Sequence, residues 1–272
     1  MDAFSIAFLL VAGGITGFLA GLFGVGGGII LVPLLLYYFQ IIGVSSLVAT
    51  HLTFGTSLLV IVFASSTSAY QYSANGHVVW KAVLVMGLAS VAGAVFGSSV
   101  AAALRGGTLQ QIFATVVAVA AIRLLTEVGK PKSDPVPNTG PPGLILTGVT
   151  VGLVSSLAGV GGGVFSIPIM YYFLRFPLKK ALGTSSATIV ITALAAVVGY
   201  VIQGWDEVAR YAPQMTGYTL GFVDYLHAIP IIVGTLPAAR YGAVVSHRTQ
   251  VDTLRKVYGV FLLVISMKMF FF

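Results

Sequence analysis

The chain has 272 residues, of which 57% are hydrophobic and only 8% are Asp, Glu, Lys or Arg, and 14 basic against 7 acidic side chains give a formal charge of +7. A water-soluble domain carries about 25% charged residues, so this composition excludes a solvated globular exterior and, with it, disordered and fibrous chains. The basic residues stand singly or in small groups between apolar runs, which assigns the excess charge to cytoplasmic loops rather than to a nucleic-acid surface, and the lack of cysteine excludes disulfides, thiolate nucleophiles and Cys-based metal sites.

The first elements follow at once. Met1 and Asp2 lead straight into apolar residues without the basic start of a signal peptide, so the first run is expected to stay in the mature protein. Apolar runs lie at 3–23, 28–42, 46–70, 78–104 and 108–127. A helix needs about 20 such residues to cross a bilayer. A polar, Pro-rich stretch over 129–141 is the one clear linker. Beyond it, further runs lie at 142–158, 163–176, 180–203, 222–246 and 254–271.

The two sides of the linker repeat one another. Gly17–Tyr37 reads GFLAGLFGVGGGIILVPLLLY and Gly152–Tyr172 reads GLVSSLAGVGGGVFSIPIMYY, at a constant offset of 135. Gly55-Thr56-Ser57 then matches Gly183-Thr184-Ser185, and Gly76, Gly97 and Leu109 match Gly221, Gly242 and Leu254. Such ordered matches identify a duplicated unit: a first repeat over 1–128, the linker over 129–141 and a second repeat over 142–272. The expected fold is an all-α polytopic membrane protein of two inverted repeats, each a glycine-broken helical hairpin plus three transmembrane helices.

Charge chooses the inversion. If each short pair of runs goes down and back, ten basic residues (Lys81, Arg123, Lys130, Lys132, Arg175, Lys179, Lys180, Arg248, Arg255 and Lys256) fall on one face and three (Arg105, Arg210 and Lys268) on the other. The alternative topology leaves almost no bias. The positive-inside rule then puts both termini outside and the linker inside. The second arms of the pairs, about 22 Å long at 1.5 Å per residue, favour re-entrant hairpins with buried turns over fully spanning ones.

Gly24, Gly26, Gly27 and Gly28, and their matches Gly159, Gly161, Gly162 and Gly163, break their helices and free backbone N–H groups where the next helix begins. Non-helical backbone at membrane depth is tolerated where it is buried in protein or lines a cavity. Two such turns from opposite faces form an anion-attracting pair near the midplane, and these eight glycines are candidate substrate-binding positions. Tight turns or close helix contacts are the alternative, and packing is the expected role of Gly13, Gly17, Gly21, Gly93 and Gly97. No Gly-Lys-[Ser/Thr] follows the glycines and no strand precedes them, so a nucleotide phosphate loop is a poor rival.

Thr56 and Ser57, with Thr184 and Ser185, bring hydroxyls that can donate to an anion, or bond back along their own helix. His51 lies one turn before Thr56 and can reach the same cavity, or sit buried against a neighbour. Arg240, within a span, either touches the anion or snorkels. Tyr70, Tyr72 and Tyr200 are read as interfacial anchors. The acids Asp2, Glu127, Asp134, Asp206, Glu207, Asp224 and Asp252 fall in loops or near span ends. No mid-span carboxylate, catalytic set or His-rich cluster therefore suggests a cation pump, an enzyme, a resident metal or a cofactor.

The duplicated GVGGG-x4-P, followed by His51-Leu-Thr-Phe-Gly-Thr-Ser-Leu58 and Lys180-Ala-Leu-Gly-Thr-Ser-Ser186, resembles the TauE/SafE family of sulfite-exporter-like permeases over nearly the whole chain. The resemblance implies a secondary transporter of small sulfur-containing anions across the cytoplasmic membrane, often exporting them. Composition and spacing alone give a small anion and a lipid surround as partners, with a homodimer left open. A passive anion channel, a carrier of another organic anion such as a carboxylate, and a membrane scaffold or receptor are the competing readings. The second repeat also carries an unusual outer loop, Trp205–Tyr218, with Asp206 and Glu207.

Overall fold

A computed structural model describes residues 3–126, 137, 139–249, 253, 256, 259–260, 263–264 and 266–267. Most of the linker, most of the run at 254–271, and Asp2, Glu127, Lys130, Lys132, Asp134, Asp252, Arg255 and Lys268 lie outside the described residues. Helices account for nearly everything else: α1 (Ala3–Phe23), α2 (Gly28–Ile41), α3 (Ser46–Ala74), α4 (Trp80–Ala103), α5 (Gly106–Thr126), α6 (Pro141–Ala158), α7 (Gly163–Pro168), α8 (Leu178–Tyr211) and α9 (Tyr225–Arg248). The fold is that of an all-α polytopic membrane protein, with α1, α3, α4, α6, α8 and α9 long and apolar enough to cross a bilayer.

Local chemistry sets most boundaries. Ser45 caps α3 through its side chain, accepting from the Leu47 N–H, and Asp224 caps α9 in the same way. Gly159, in the left-handed region at φ 64°, ends α6. Pro33 is carried inside α2, whereas Pro168 ends α7, which runs on as a π-turn over Ile169–Phe173. The outer loop expected over Trp205–Tyr218 is half helix, because α8 continues to Tyr211. A 3-10 turn (Pro213–Met215) and a two-stranded hairpin, β1 (Thr219–Leu220) with β2 (Val223–Asp224), complete the connection to α9.

Two glycine seams hold the bundle together, as small residues do where lipid gives helices no hydrophobic reason to associate. In the first, Gly13, Gly17 and Gly21 of α1 lie against the backbone of Ile231, Thr235 and Ala239 of α9, and a methyl on Gly17 would stand 2.5 Å from the Thr235 carbonyl oxygen. In the second, Gly148 and Gly152 of α6 lie against Met86 and Ser90 of α4, while Gly93 and Gly97 meet Val149 and Leu153 in return. The contacts advance in step, so α1 runs alongside α9 and α6 alongside α4, each pair in the same direction. The expected packing role of these glycines is what the structure shows. Across the middle, α3 packs on α8.

Candidate functional site

The two GVGGG turns occupy the centre and share one conformation. Gly24, Gly26 and Gly27 have φ of 64°, 85° and 80°, and Gly159, Gly161 and Gly162 have 64°, 82° and 78°. A side chain rarely adopts this left-handed region, so the sequence spends glycine at each of these positions. Every residue from Gly24 to Gly28 and from Gly159 to Gly163 is buried. Helical bonding resumes from the Gly27 carbonyl to the N–H groups of Ile30 and Leu31, and from the Gly162 carbonyl to Phe165 and Ser166.

The turns touch each other. A methyl on Gly28 would stand 2.8 Å from the Gly159 carbonyl oxygen, and one on Gly163 would stand 2.6 Å from the Val25 Cα. Ile61 of α3 and Ile189 of α8, both fully buried, close the remaining space against Gly26, Gly28, Gly161 and Gly163. An anion cannot lie between the turns in this packed arrangement: van der Waals contact leaves no gap, and the flanking atoms are hydrocarbon. Sequence reasoning missed the isoleucines, although both stand six residues beyond the glycine of their Gly-Thr-Ser.

The Gly-Thr-Ser segments fasten connections rather than point at open space. Gly55 lies against the Phe222 carbonyl, and Thr56 Oγ1 accepts the backbone N–H of Asp224 at 2.9 Å. In the other half Gly183 lies against the His77 carbonyl, and Thr184 Oγ1 accepts the Val79 N–H at 3.0 Å. Each threonine thus holds the residue that leads into a helix of the other half, Thr56 of α3 the start of α9 and Thr184 of α8 the start of α4. Ser57 donates to the Gly159 carbonyl, tying α3 to the opposite turn, while Ser185 pairs with Ser166 at 2.6 Å. Ser57 and Ser185 thus bond off their own helices, and Thr56 and Thr184 act as acceptors in these contacts.

Other candidates move further. His51 is buried at the start of α3, its Nε2 between the Ala101 and Leu104 carbonyls at 3.1 Å each, its ring stacked on Phe222 and its Nδ1 without a partner. It meets the end of α4 and not the turns. Arg240 is exposed on α9, while its neighbour Ala239 packs on Gly21, so the guanidinium faces away from the seam. Tyr70 is 72% exposed, as an anchor should be, but Tyr72 and Tyr200 are fully buried. Their hydroxyls donate to the Gly21 and Ser156 carbonyls, which are matching positions in α1 and α6.

Two buried hydroxyls beside the turns lack partners. Ser65 Oγ of α3 faces Gly26, 3.2 Å from where a Cβ would stand, and Ser155 of α6 faces Gly162 with its Cβ 3.3 Å from the equivalent position. A buried hydroxyl left unpaired costs about 1–3 kcal/mol. Both were missed because serine in an apolar run carries no periodic signature. Asp224, expected near a span end, is there but has no exposed surface, and its carboxylate bonds the His227 backbone N–H and Nδ1. Among the described residues no group of three potential ligands could hold a metal.

Over residues 9–269 the chain matches the family model described as Sulfite exporter TauE/SafE. A probable membrane transporter protein of Haemophilus influenzae is 30% identical over 266 residues, covering 97% of this chain and 98% of the relative. Relatives with the same description from Methanocaldococcus jannaschii (28% identical, 94% of each chain) and Bacillus subtilis (YunE, 25% identical, 98% of each chain) also align nearly end to end. No solved structure gives a significant match. The chain belongs to the TauE/SafE family and is an integral membrane protein of the transporter class.

Proposed function

We propose that this member of the TauE/SafE family is a secondary transporter of small sulfur-containing anions, sulfite or a sulfonate, and that it moves them across the cytoplasmic membrane by alternating access in the export direction. The observation that carries the reading is the pair of matching glycine turns meeting at the centre of the molecule, each flanked by an unpartnered buried hydroxyl. The family description supports a membrane transporter, and the substrate class and direction proposed here are carried over from its wording, sulfite exporter. The anion takes the place of the contact between the turns: when they part, the amides that begin α2 and α7, with Ser65 and Ser155, supply donors to its oxygens. Of the residues read as ligands from sequence, Gly24, Gly26, Gly27, Gly28, Gly159, Gly161, Gly162 and Gly163 stay in this proposal. Thr56, Ser57, Thr184 and Ser185 support it as fasteners.

An inverted pair of repeats is part of the reading. It is supported by the exchange of partners, α1 with α9 and α6 with α4, and by the end of α4 meeting the start of α3, beside the residues that lead into α9. Lys81, Arg175, Lys179, Lys180 and Arg248 lie at the ends reached by the start of α4, whereas Arg105 and Arg210 lie at the opposite ends with Asp206 and Glu207. His77 adds no charge there at neutral pH, since burial first, and then Lys179 and Lys180, hold it below its ordinary value. The positive-inside rule then puts the linker in the cytoplasm and both termini outside.

Thermal unfolding in detergent across sulfite, thiosulfate, methanesulfonate and acetate tests the substrate class. At 100 times its dissociation constant a ligand stabilises the folded protein by about 2.7 kcal/mol. The sulfur oxyanions are expected to raise the melting temperature and acetate to leave it unchanged. No shift with any sulfur oxyanion, or an equal shift with acetate, overturns the assignment.

A further inference from the structure

One buried ionic couple lies apart from the glycine turns. Asp224 caps α9, with Oδ1 accepting the His227 N–H at 3.0 Å and Oδ2 bonded to Nδ1 of the same imidazole. The carboxylate side chain has no exposed surface and the imidazole side chain keeps 6%. The groups around the couple are aromatic. Tyr38 and Phe39 of α2 meet the imidazole at ring-centroid distances of 5.2 and 6.2 Å, and Tyr218, ahead of β1, meets it at 5.9 Å.

From α3 come Thr56, bound to the Asp224 backbone, and His51, one ring further away beyond Phe222. Packed along α9, α1 has no ionisable side chain between Ala3 and Phe23. Among the described residues no Lys or Arg pairs with Asp224. The Tyr218 phenol stays protonated, pushed up by burial first and then by the Asp224 carboxylate and Tyr38. The couple exists in one half only: Val79 and Ala82 stand at the positions that match Asp224 and His227.

We propose that the Asp224–His227 couple binds a coupling proton that travels with the anion, an inference that rests on the transport reading above. With a neutral imidazole the couple carries one negative charge, and with a proton added it becomes an imidazolium–carboxylate pair of zero net charge. A buried negative charge without a cation is costly and repels an anion at the turns; the added proton removes that repulsion. The connection to the turns is covalently short, since Thr56 holds the Asp224 N–H while the adjacent Ser57 holds the Gly159 carbonyl. Proton and anion therefore bind cooperatively, each raising the affinity of the other by the same factor. The imidazole, which alone keeps exposed surface, is the route by which the proton reaches the carboxylate. In the export direction an outward anion gradient carries protons out with it.

Methanesulfonate is the probe, because its own protonation lies far below neutral pH and any proton that moves is bound by the protein. Purified protein in liposomes is loaded with methanesulfonate and diluted, and a pH-sensitive dye inside is read alongside exchange of the labelled anion. The wild type is expected to alkalinise the interior as the anion leaves. Asp224→Asn keeps the helix cap, asparagine being as good an N-cap as aspartate, and is expected to retain exchange while losing the proton signal. His227→Gln leaves the Asp224 carboxylate charged without the imidazole that takes up the proton, and is expected to lose the proton signal and to slow exchange as well. Wild-type exchange without proton movement, or a proton signal that survives in both variants, overturns this inference alone. Absence of exchange in the wild type overturns the transport reading and this inference with it.

Discussion

Ser65 and Ser155 separate a binding role from a packing role more sharply than the glycines do. Both hydroxyls are buried without partners, so replacing each with alanine removes an unsatisfied donor and is expected to leave stability unchanged or raise it by about 1–3 kcal/mol. The thermal shift produced by a sulfur oxyanion is expected to shrink in the same variants. A double Ser65→Ala, Ser155→Ala protein that keeps the full ligand shift removes the serines from the site. The duplicated Thr56 and Thr184 behave differently: each accepts a backbone N–H at the start of a helix in the other half, and its loss leaves that donor without its partner. Residue type and duplication were legible in the sequence at these positions. Their partners were not, because bonds between Thr56 and Asp224 or Ser57 and Gly159 join residues more than 100 positions apart.

At the scale of the element, the apolar runs gave helix boundaries to within a few residues over most of their ends. A 20-residue hydrophobic stretch bounded by glycine and proline has few alternatives in lipid. The exception is the second half after Trp205, where α8 extends to Tyr211 through Asp206, Glu207 and Arg210, polar enough to read as loop. Buried Tyr72 and Tyr200 were misread for a related reason: a tyrosine near a helix end looks like an interfacial anchor until the neighbouring helix brings a carbonyl to it. The two glycine seams make a paired expectation. Gly17→Leu and Gly152→Leu both force a side chain into the backbone of the neighbouring helix, whereas Gly14, one residue from the seam, has open space around it. The first two are expected to lose monodisperse protein in size-exclusion chromatography and Gly14→Leu to retain it. Equal behaviour of all three contradicts the seam.

For the whole molecule, orientation and transport are the two open quantities, and the absence of cysteine makes the first straightforward. A single cysteine at Lys179 is expected to react with an impermeant maleimide only after cells are permeabilised, and one at Gly217 in intact cells. The reverse pattern inverts the assignment of inside and outside. Charge placement gives this orientation as an expectation, but it could not show that Asp224 is buried beside His227, since burial depends on Tyr38 and Tyr218 folding over the couple. Nor could it show the turns in contact, closed by Ile61 and Ile189. That contact fits the alternating access proposed above, in which an anion reaches the centre only when the turns move apart. Counterflow in liposomes tests this directly: protein loaded with unlabelled sulfite is diluted into labelled sulfite. The expected result is saturable, transient accumulation of label that requires sulfite inside and is lost in Gly27→Leu and Gly162→Leu. Label entry that does not saturate and is indifferent to internal sulfite contradicts a carrier and leaves a passive pore.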